Sequence, residues 1–122
     1  PSGVQGVCPD GWHLPSNMEW TELKTYISND GYQDFEASAL KAIDGWFDNG
    51  SGNNIYGFNA LGGGFWDIEY NFFDDMDIIG YWWASNLAFL DIFFQDNNLR
   101  DPYSISQTWA NSQGYSVRCI KD

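Results

Sequence analysis

Three residues of this chain belong to the types that most often bind transition metals or attack as nucleophiles: the single histidine, His13, and the cysteines Cys8 and Cys119. A zinc site takes four ligands, usually with cysteines in close pairs, but these two cysteines lie near opposite ends of the chain. No nucleophile elbow surrounds any serine. The residue types therefore argue against a metal centre and nucleophilic catalysis, and we expect a structural role for His13.

The two cysteines are better explained as a disulfide. A Cys8–Cys119 bridge would close a loop of about 110 residues, worth on the order of 4–5 kcal/mol in the chain-entropy account. Disulfides persist in oxidising compartments, so we expect an extracytoplasmic domain, the alternative being two buried free thiols in a cytosolic protein. Residues 1–6 lack the basic start and apolar centre of a signal peptide, so we expect any secretion signal to lie upstream or to have been removed.

A dense run of carboxylates, Asp74, Asp75 and Asp77, offers two kinds of chemistry. Two of them could serve a carbohydrate-active hydrolase as acid and base, with Trp66 and Trp82 as platforms for the sugar. Their oxygens could instead bind Ca²⁺, although the Gly and Glu spacing of an EF-hand loop is absent. Because 17 of the 122 residues are acidic, a local cluster arises by chance. The favoured interpretation is a solvated acidic loop in a domain without a cofactor.

The net charge limits the partners of the domain. Five basic side chains stand against 17 acidic ones, which gives a formal charge of −12. Because nucleic-acid binding needs clustered Lys and Arg, we expect no nucleic-acid partner. No apolar run approaches the roughly 20 residues of a membrane-spanning helix. We therefore expect a soluble domain that does not insert into a membrane, and the repulsion between so many acids favours a monomer.

Periodicity places helices in the first third of the chain. Ser16 and Glu19 have the spacing of a capping box, and Trp20, Leu23 and Ile27 then mark one face, extended by Tyr26, which predicts a helix over 17–28. A shorter helix is predicted over 34–43. Its expected inner face consists of Phe35, Ala39, Leu40 and Ile43.

From residue 45 onward, Gly, Asn and aromatic residues replace the helical pattern. Short strands are predicted at 64–70, 80–84, 88–95, 98–103 and 114–120. No linker or internal repeat divides the chain, so we expect a single domain over 1–122. The expected fold class is α+β, with two N-terminal helices and a twisted antiparallel sheet in a loop-rich second half.

The segment 86–112 mixes aromatic residues with Asn, Asp, Ser and Gln, and almost no Lys or Glu. Aromatic rings supply rigid contact area and small polar side chains supply adaptable hydrogen bonds, a combination typical of binding surfaces. The candidate apolar anchors are Phe89, Phe94, Tyr103 and Trp109, and Ile105 is a further candidate ligand-binding residue. The candidate hydrogen-bonding residues are Asp91, Gln95, Asn97, Asn98, Arg100 and Asn111, and Arg100 could meet a carboxylate in a forked geometry. The segment therefore predicts a non-enzymatic module that binds a protein or glycan.

Two other functions stay open. The carboxylates Asp74, Asp75 and Asp77 leave room for a carbohydrate-active or carbohydrate-binding accessory domain. Alternatively, the aromatic residues of 86–112 are core, as we expect for Phe93 and Leu99, and the domain is a structural spacer in a surface protein.

Six separated motifs, in order, resemble the FISUMP family, the major paralogous domain named after Fibrobacter. They cover nearly all residues from 7 to 122: CPDGWHLPS at 8–16 followed by Glu19, Trp20 and Leu23, GW at 45–46, YGFNAL at 56–61, GG at 63–64, GYWWAS at 80–85 and GYSVRC at 114–119.

This resemblance implies a fold akin to C-type lectin-like domains and the formylglycine-generating enzyme, with the two chain ends together. It also implies an adhesin-like module that is secreted or on the surface of a bacterium. It does not imply enzyme activity, because the additional active-site cysteines of the formylglycine-generating relatives are missing. The calcium and sugar tripeptides of true C-type lectins are absent as well.

The segment 86–112 further resembles the hypervariable part of retroelement-diversified proteins, which display mutated residues on a lectin-like scaffold. Mutation of adenines in Asn codons yields Asn, Asp, Ser, Tyr, Phe, Ile and Leu, and such residues dominate here. Gln107 and Trp109 are not products of that change. Examples that fit are Phe89, Asp91, Asn97, Asn98, Tyr103, Ile105 and Asn111.

Overall fold

Two helices in the first third of the chain precede most of the strands, as seen in a computed structural model that describes residues 6–122. Residues 1–5 lie outside the described residues. They make up most of the segment 1–6 that was considered above as a signal peptide. The helices are α1 (Asn17–Ile27), α2 (Glu36–Leu40) and α3 (Gln107–Ser112), with a π-helical turn at Ser28–Tyr32 and a 3-10 turn at Phe47–Asn49. The strands are β1 (Trp12–His13), β2 (Gly63–Asp67), β3 (Phe72–Met76), β4 (Ile79–Ala84), β5 (Ala88–Phe93), β6 (Tyr103–Ser104), β7 (Gln113–Gly114) and β8 (Ile120–Lys121).

Helix α1 confirms the first predicted helix. The backbone N–H of Glu19 donates to Ser16 Oγ over 3.2 Å, and the Glu19 carboxylate accepts from the Ser16 N–H over 2.8 Å, which closes the capping box. Trp20 and Ile27 are buried on the inner face as expected, whereas Tyr26 is exposed because its position turns away from the core.

Helix α2 is shorter than the predicted helix over 34–43. It ends at Leu40 because the backbone of Lys41 is extended, with ψ at 143°. Ala39 and Leu40 are buried as expected, but Phe35 and Ile43 lie outside the helix and are exposed.

The main sheet has the strand order β3-β2-β4-β5-β6, with β7 beside β2. The predicted α+β class is confirmed. The sheet is not wholly antiparallel, because β2 and β4 pair in parallel at Gly64 and Gly80. Strands β2, β4 and β5 confirm three predicted strands, and β5 ends at Phe93 because the Asp96 carboxylate accepts its N–H over 2.8 Å.

Elsewhere the predicted strands differ from the structure. The strand predicted at 98–103 was wrong apart from its last residue, since only Tyr103–Ser104 is extended and paired there. The strand predicted at 114–120 is split between β7 and β8. Strand β3 and helix α3 were not predicted.

The hydrophobic core lies between the N-terminal helices and one face of β4 and β5. The helices contribute Trp20, Ile27 and Leu40, and the strands contribute Trp82 and Leu90. Leu99 is also buried here, as expected. In the part of the chain that the structure describes, no helix is long and apolar enough to cross a membrane.

The two ends of the described chain are fastened together. The Cys8–Cys119 disulfide is present, with a Cα–Cα distance of 5.8 Å. Strands β1 and β8 pair in antiparallel fashion beside it, and the Asp122 N–H donates to the Gly11 carbonyl over 3.0 Å. His13 in β1 bonds Glu19 of α1 through Nε2 at 2.8 Å and Asp122 through Nδ1 at 2.6 Å. The histidine therefore ties α1 to the end of the chain.

An aromatic cleft as the candidate functional site

The outer face of the sheet is built by the alternation of side chains along β4 and β5. Residues with even numbers, such as Trp82 and Leu90, point into the core, and the odd-numbered ones lie on the other face. Tyr81 pairs with Asp91, and Trp83 pairs with Phe89 across the two strands. Because side chains of paired residues lie on the same face, three aromatic rings meet on the outside of the sheet.

Neighbouring strands extend this face into a continuous aromatic layer. Tyr103 of β6 pairs with Phe89 and stacks on it at 5.6 Å between ring centroids. The ring of Tyr115 stacks on Tyr81 at 5.0 Å, and it contacts Trp83 at 4.5 Å and Phe89 at 5.1 Å. Tyr115 is therefore the ring at which the aromatic contacts of β4 and β5 converge.

Helix α3 brings a further ring to this layer. It begins after Ser106, whose Oγ accepts from the backbone N–H of Trp109 over 3.2 Å. The indole Nε1–H of Trp109 donates to the Tyr115 hydroxyl over 3.1 Å. Tyr115 itself is held beside β4, because Ser116 exchanges backbone hydrogen bonds of 3.0 Å with Tyr81 and Trp83.

These elements enclose a cleft of about 360 Å³. Its aromatic lining consists of Phe65, Tyr81, Phe89, Trp109 and Tyr115. Its polar lining consists of Asp67, Asp91 and Gln113. A concave site with apolar walls and a few convergent polar groups is the usual form of a ligand pocket.

Asp91, a residue of the cleft lining, belongs to a charged triad with Arg100 at its centre. Its Oδ1 accepts from Arg100 Nη2 over 2.9 Å and from Nε over 3.2 Å, and Arg100 Nη2 also contacts Asp96 Oδ2 at 2.8 Å. Burial raises the pKa of Asp91 in spite of the guanidinium beside it. Burial also opposes the charge on Arg100, but hydrogen bonds to Asp96 and Asp91 outweigh it and raise the pKa of Arg100. Two carboxylates share one guanidinium, so the triad carries a net negative charge when all three groups are ionised.

Two further acidic residues lie in or beside the cleft, Asp67 and Asp75. Gln113 Nε2 donates to Asp67 Oδ2 over 3.3 Å, and the Tyr81 hydroxyl donates to Asp75 Oδ2 over 2.9 Å. Burial, followed by the hydrogen bond to Asp75, raises the pKa of Tyr81. The Tyr81 hydroxyl therefore keeps its proton and acts as a hydrogen-bond donor.

The structure brings together only some of the residues singled out in the segment 86–112. Phe89, Asp91 and Trp109 line the cleft, and Tyr103 flanks it through its stacking on Phe89. Arg100 is bound to Asp91 and Asp96, and its guanidinium also lies over the ring of Phe93 at 4.7 Å.

The remaining candidates lie elsewhere. Phe94, Gln95 and Asn97 line a different depression, of about 250 Å³, beside Lys41 and Gly50. Asn98 is exposed, Ile105 is half-buried with its N–H bonded to the Leu87 carbonyl, and exposed Asn111 accepts from Gln107 over 2.8 Å.

Sequence reasoning missed five residues of the cleft. Phe65, Tyr81 and Tyr115 supply rings, and Asp67 and Gln113 supply polar groups. The only local signal for Tyr81 is that neighbouring residues of a strand lie on opposite faces, so Tyr81 and Trp82 cannot both be core, but the strand pairing is needed to decide which one is.

The acidic residues at 74–77 were expected in a solvated loop, but two of them lie in a strand. Asp74 and Asp75 belong to the edge strand β3, and Asp75 accepts the Tyr81 hydroxyl. Trp82 is only 5% exposed within the core, so the hypothesis that it serves as a platform for sugars was wrong. Within residues 6–122, no group of three or more His, Cys, Asp or Glu side chains is placed to hold a metal ion.

Comparison with known proteins gives a single finding. The family model of the Fibrobacter succinogenes major domain (Fib_succ_major), which is the FISUMP family of the sequence resemblance, matches residues 2–121. No curated protein and no solved structure matches the chain. The match takes in the disulfide, the core and every residue of the aromatic cleft, and on this ground the chain belongs to the Fibrobacter succinogenes major domain family.

Proposed function

We propose that this chain is a non-enzymatic binding module that takes its ligand in the aromatic cleft. The observation that carries the proposal is the exposure of large rings around a concave site. Trp109 is 50% exposed and Tyr103 is 47% exposed, although both belong to the aromatic layer. Solvent contact at large apolar rings is unfavourable, and a contiguous exposed patch of them marks interaction sites.

We further propose that the domain has a C-type lectin-like arrangement and works outside the cytoplasm, at a bacterial surface. The joined chain ends, the short strands and the loop-rich second half support the arrangement. The Cys8–Cys119 disulfide supports an oxidising location, since such bonds are rare in the cytosol.

The placement of the segment 86–112 also supports the proposal that it is a diversified surface. Phe89 and Tyr103 lie on the outer face, while Leu90, Ile92 and Leu99 between them are buried in the core. A scaffold of this kind tolerates changes on the outer face without loss of the core. Sequencing the coding region in many cells of one population would test it, and identical sequences throughout would contradict it.

The experiment that tests the binding function is a screen of the oxidised domain against cell-surface proteins and a glycan array, with and without EDTA. Trp109→Ala and Tyr103→Ala should remove binding while the thermal midpoint stays nearly unchanged. The matched control is Phe73→Ala, because Phe73 is an even more exposed ring, at 67%, that packs on Trp66 outside the cleft. Retained binding in both cleft variants would overturn the proposal, and silence against every partner would favour a structural spacer.

A carbohydrate-binding function is the second candidate, because aromatic rings with neighbouring carboxylates also suit sugars. The glycan arm of the same screen distinguishes it. Hydrolysis of a bound glycan that Asp75→Asn abolishes would replace the non-enzymatic proposal with a carbohydrate-active one.

A further inference from the structure

We propose that the aromatic cleft takes a cation, namely the ammonium or guanidinium group of a Lys or Arg side chain presented by a protein partner. This inference rests on the proposed binding function and narrows it to one chemical class. Three observations support the proposal: the cleft is lined by aromatic rings, carboxylates surround it, and the Lys and Arg side chains of the chain itself lie over other rings.

The walls present five aromatic rings to one small space. Phe65, Tyr81 and Phe89 contribute rings from the sheet, and Trp109 and Tyr115 contribute rings from the C-terminal segment. The face of each ring carries the negative part of its quadrupole, which attracts a cation placed over it. At about 360 Å³ the cleft lies near the lower end of ligand pockets and suits one side chain.

The ionisable carboxyl groups in and beside the cleft all favour a cation. Asp67 and Asp91 belong to the lining, and Asp75 lies behind the Tyr81 hydroxyl. The nearest guanidinium, that of Arg100, is shared between Asp91 and Asp96. An anionic ligand would therefore meet repulsion, while a cation gains from these carboxylates and from the overall charge of −12.

The chain places its own cations over other rings. Lys41 lies over Trp46 at 5.3 Å, Arg100 over Phe93 at 4.7 Å and Arg118 over Phe58 at 3.8 Å. No Lys or Arg from residues 6–122 lines the cleft, so none of the described cations of the chain occupies it.

The test uses the whole oxidised domain and four blocked amino acids. N-acetyl methylamides of lysine, arginine and trimethyllysine are compared with a neutral probe that carries a tert-butyl group in place of trimethylammonium. Titrations are followed by the indole N–H signals in ¹H–¹⁵N NMR spectra. We expect the trimethyllysine probe to bind about tenfold more tightly than its neutral counterpart, and its affinity to fall as salt is added.

Variants locate the effect. Trp109→Ala should abolish the preference for the cation, Trp109→Phe should keep it, and Asp67→Asn should reduce it severalfold. Phe73→Ala, outside the cleft, should leave it unchanged. The conservative Trp109→Phe variant separates loss of a ring face from loss of the local fold.

Two outcomes would overturn the proposal. Equal affinity for the charged and neutral probes would show an apolar pocket without selectivity for cations. Absence of binding by every cationic probe, while a glycan or protein still depends on Trp109, would leave the binding function intact and refute the cationic ligand alone. If neither the probes nor any partner depends on Trp109, the binding function fails as well.

Discussion

The ammonium group of Lys41 donates a hydrogen bond of 2.7 Å to the carbonyl oxygen of Phe94, at the far end of the sheet. A second bond, of 2.9 Å, goes to the carbonyl oxygen of Gly50. The Lys41 residue is only 2% exposed. One buried cation therefore joins the end of α2, the loop after the 3-10 turn and the end of β5.

Replacing this cation should weaken the fold. In Lys41→Met the apolar stem is kept but two part-buried carbonyl groups lose their donor, so the free energy of unfolding should fall by about 1–3 kcal/mol. Urea denaturation measures it. Lys24→Met is the matched control, because Lys24 pairs with exposed Asp101 at the surface, and it should change the free energy of unfolding by less than about 1 kcal/mol. Equal losses in the two variants would contradict the structural role of Lys41.

The burial of Lys41 also predicts a pH dependence. Burial lowers the pKa of its ammonium group from 10.5 to about 8. Between these values the unfolded chain binds the proton more strongly than the folded one, so this group makes the folded state more stable as the pH rises. Denaturation of Lys41→Met across the same range should lack this increase. A slope that persists in the variant would assign it to other groups.

The His13 cluster should act in the opposite direction. Both ring nitrogens face carboxylates, so both must carry a proton, and hydrogen bonds to Glu19 and then Asp122 raise the pKa of His13. The resulting stability is complete below the ordinary pKa of 6.5 and is lost as the pH rises through the raised value.

The Glu19 carboxylate makes the same cluster lose stability at acidic pH. Burial alone would raise its pKa, but hydrogen bonds from Ser16 and His13 outweigh burial and lower it, so its contribution is lost as the pH falls. The contribution of the His13 and Glu19 pair to the thermal midpoint should therefore decline from neutral pH towards about pH 3 and towards about pH 9. In His13→Gln the decline on the alkaline side should disappear, and an unchanged curve would refute the role of the histidine.

Replacing Trp82 and Trp109 by alanine should distinguish a core residue from a surface residue by the loss of stability. Trp82→Ala removes a large buried side chain and should cost about 3–5 kcal/mol. Trp109→Ala removes a half-exposed ring that bonds only Tyr115 through its indole, and should cost less than about 1 kcal/mol. Chemical denaturation of both variants measures the difference. A large loss in Trp109→Ala would make that ring part of the core and weaken the binding proposal.

Reduction of the disulfide should be strongly destabilising. The bridge spans a sequence separation of 111 residues, and the chain-entropy account gives about 4–5 kcal/mol for a loop of that length. Denaturation with and without a reductant measures this contribution. Cys8→Ser combined with Cys119→Ser should reproduce the reduced protein and should itself be insensitive to the reductant. A loss under about 1 kcal/mol would show that the unfolded chain is already restrained.

The parts of the fold that sequence could predict are those with local signals. The capping box at Ser16 and Glu19 and the stripe of Trp20, Leu23 and Ile27 define α1 without any tertiary information. The two cysteines could be paired because no other cysteine competes. Strands β4 and β5 are apolar runs bounded by turn residues, so their positions were predictable.

The cleft could only be predicted in part, since it depends on pairing between distant segments. Phe89 and Trp109 were found from composition, but Tyr115 joins them through hydrogen bonds of Ser116 with β4. Helix α2 ends early because Lys41 turns inward to distant carbonyl groups, which local propensity does not encode. Trp82 and Trp83 are neighbours of the same type, and only the register of β4 decides which one is core.

The bond between Cys8 and Cys119 also decides how the domain behaves under mechanical load. Tension applied between Val7 and Ile120 passes through the covalent bridge and not through the sheet or the core. The enclosed chain, 111 positions long, would otherwise pull out to roughly 390 Å at about 3.5 Å per residue. With the bridge closed, this length cannot be released, so tension between the two chain ends leaves the sheet and the aromatic cleft unloaded.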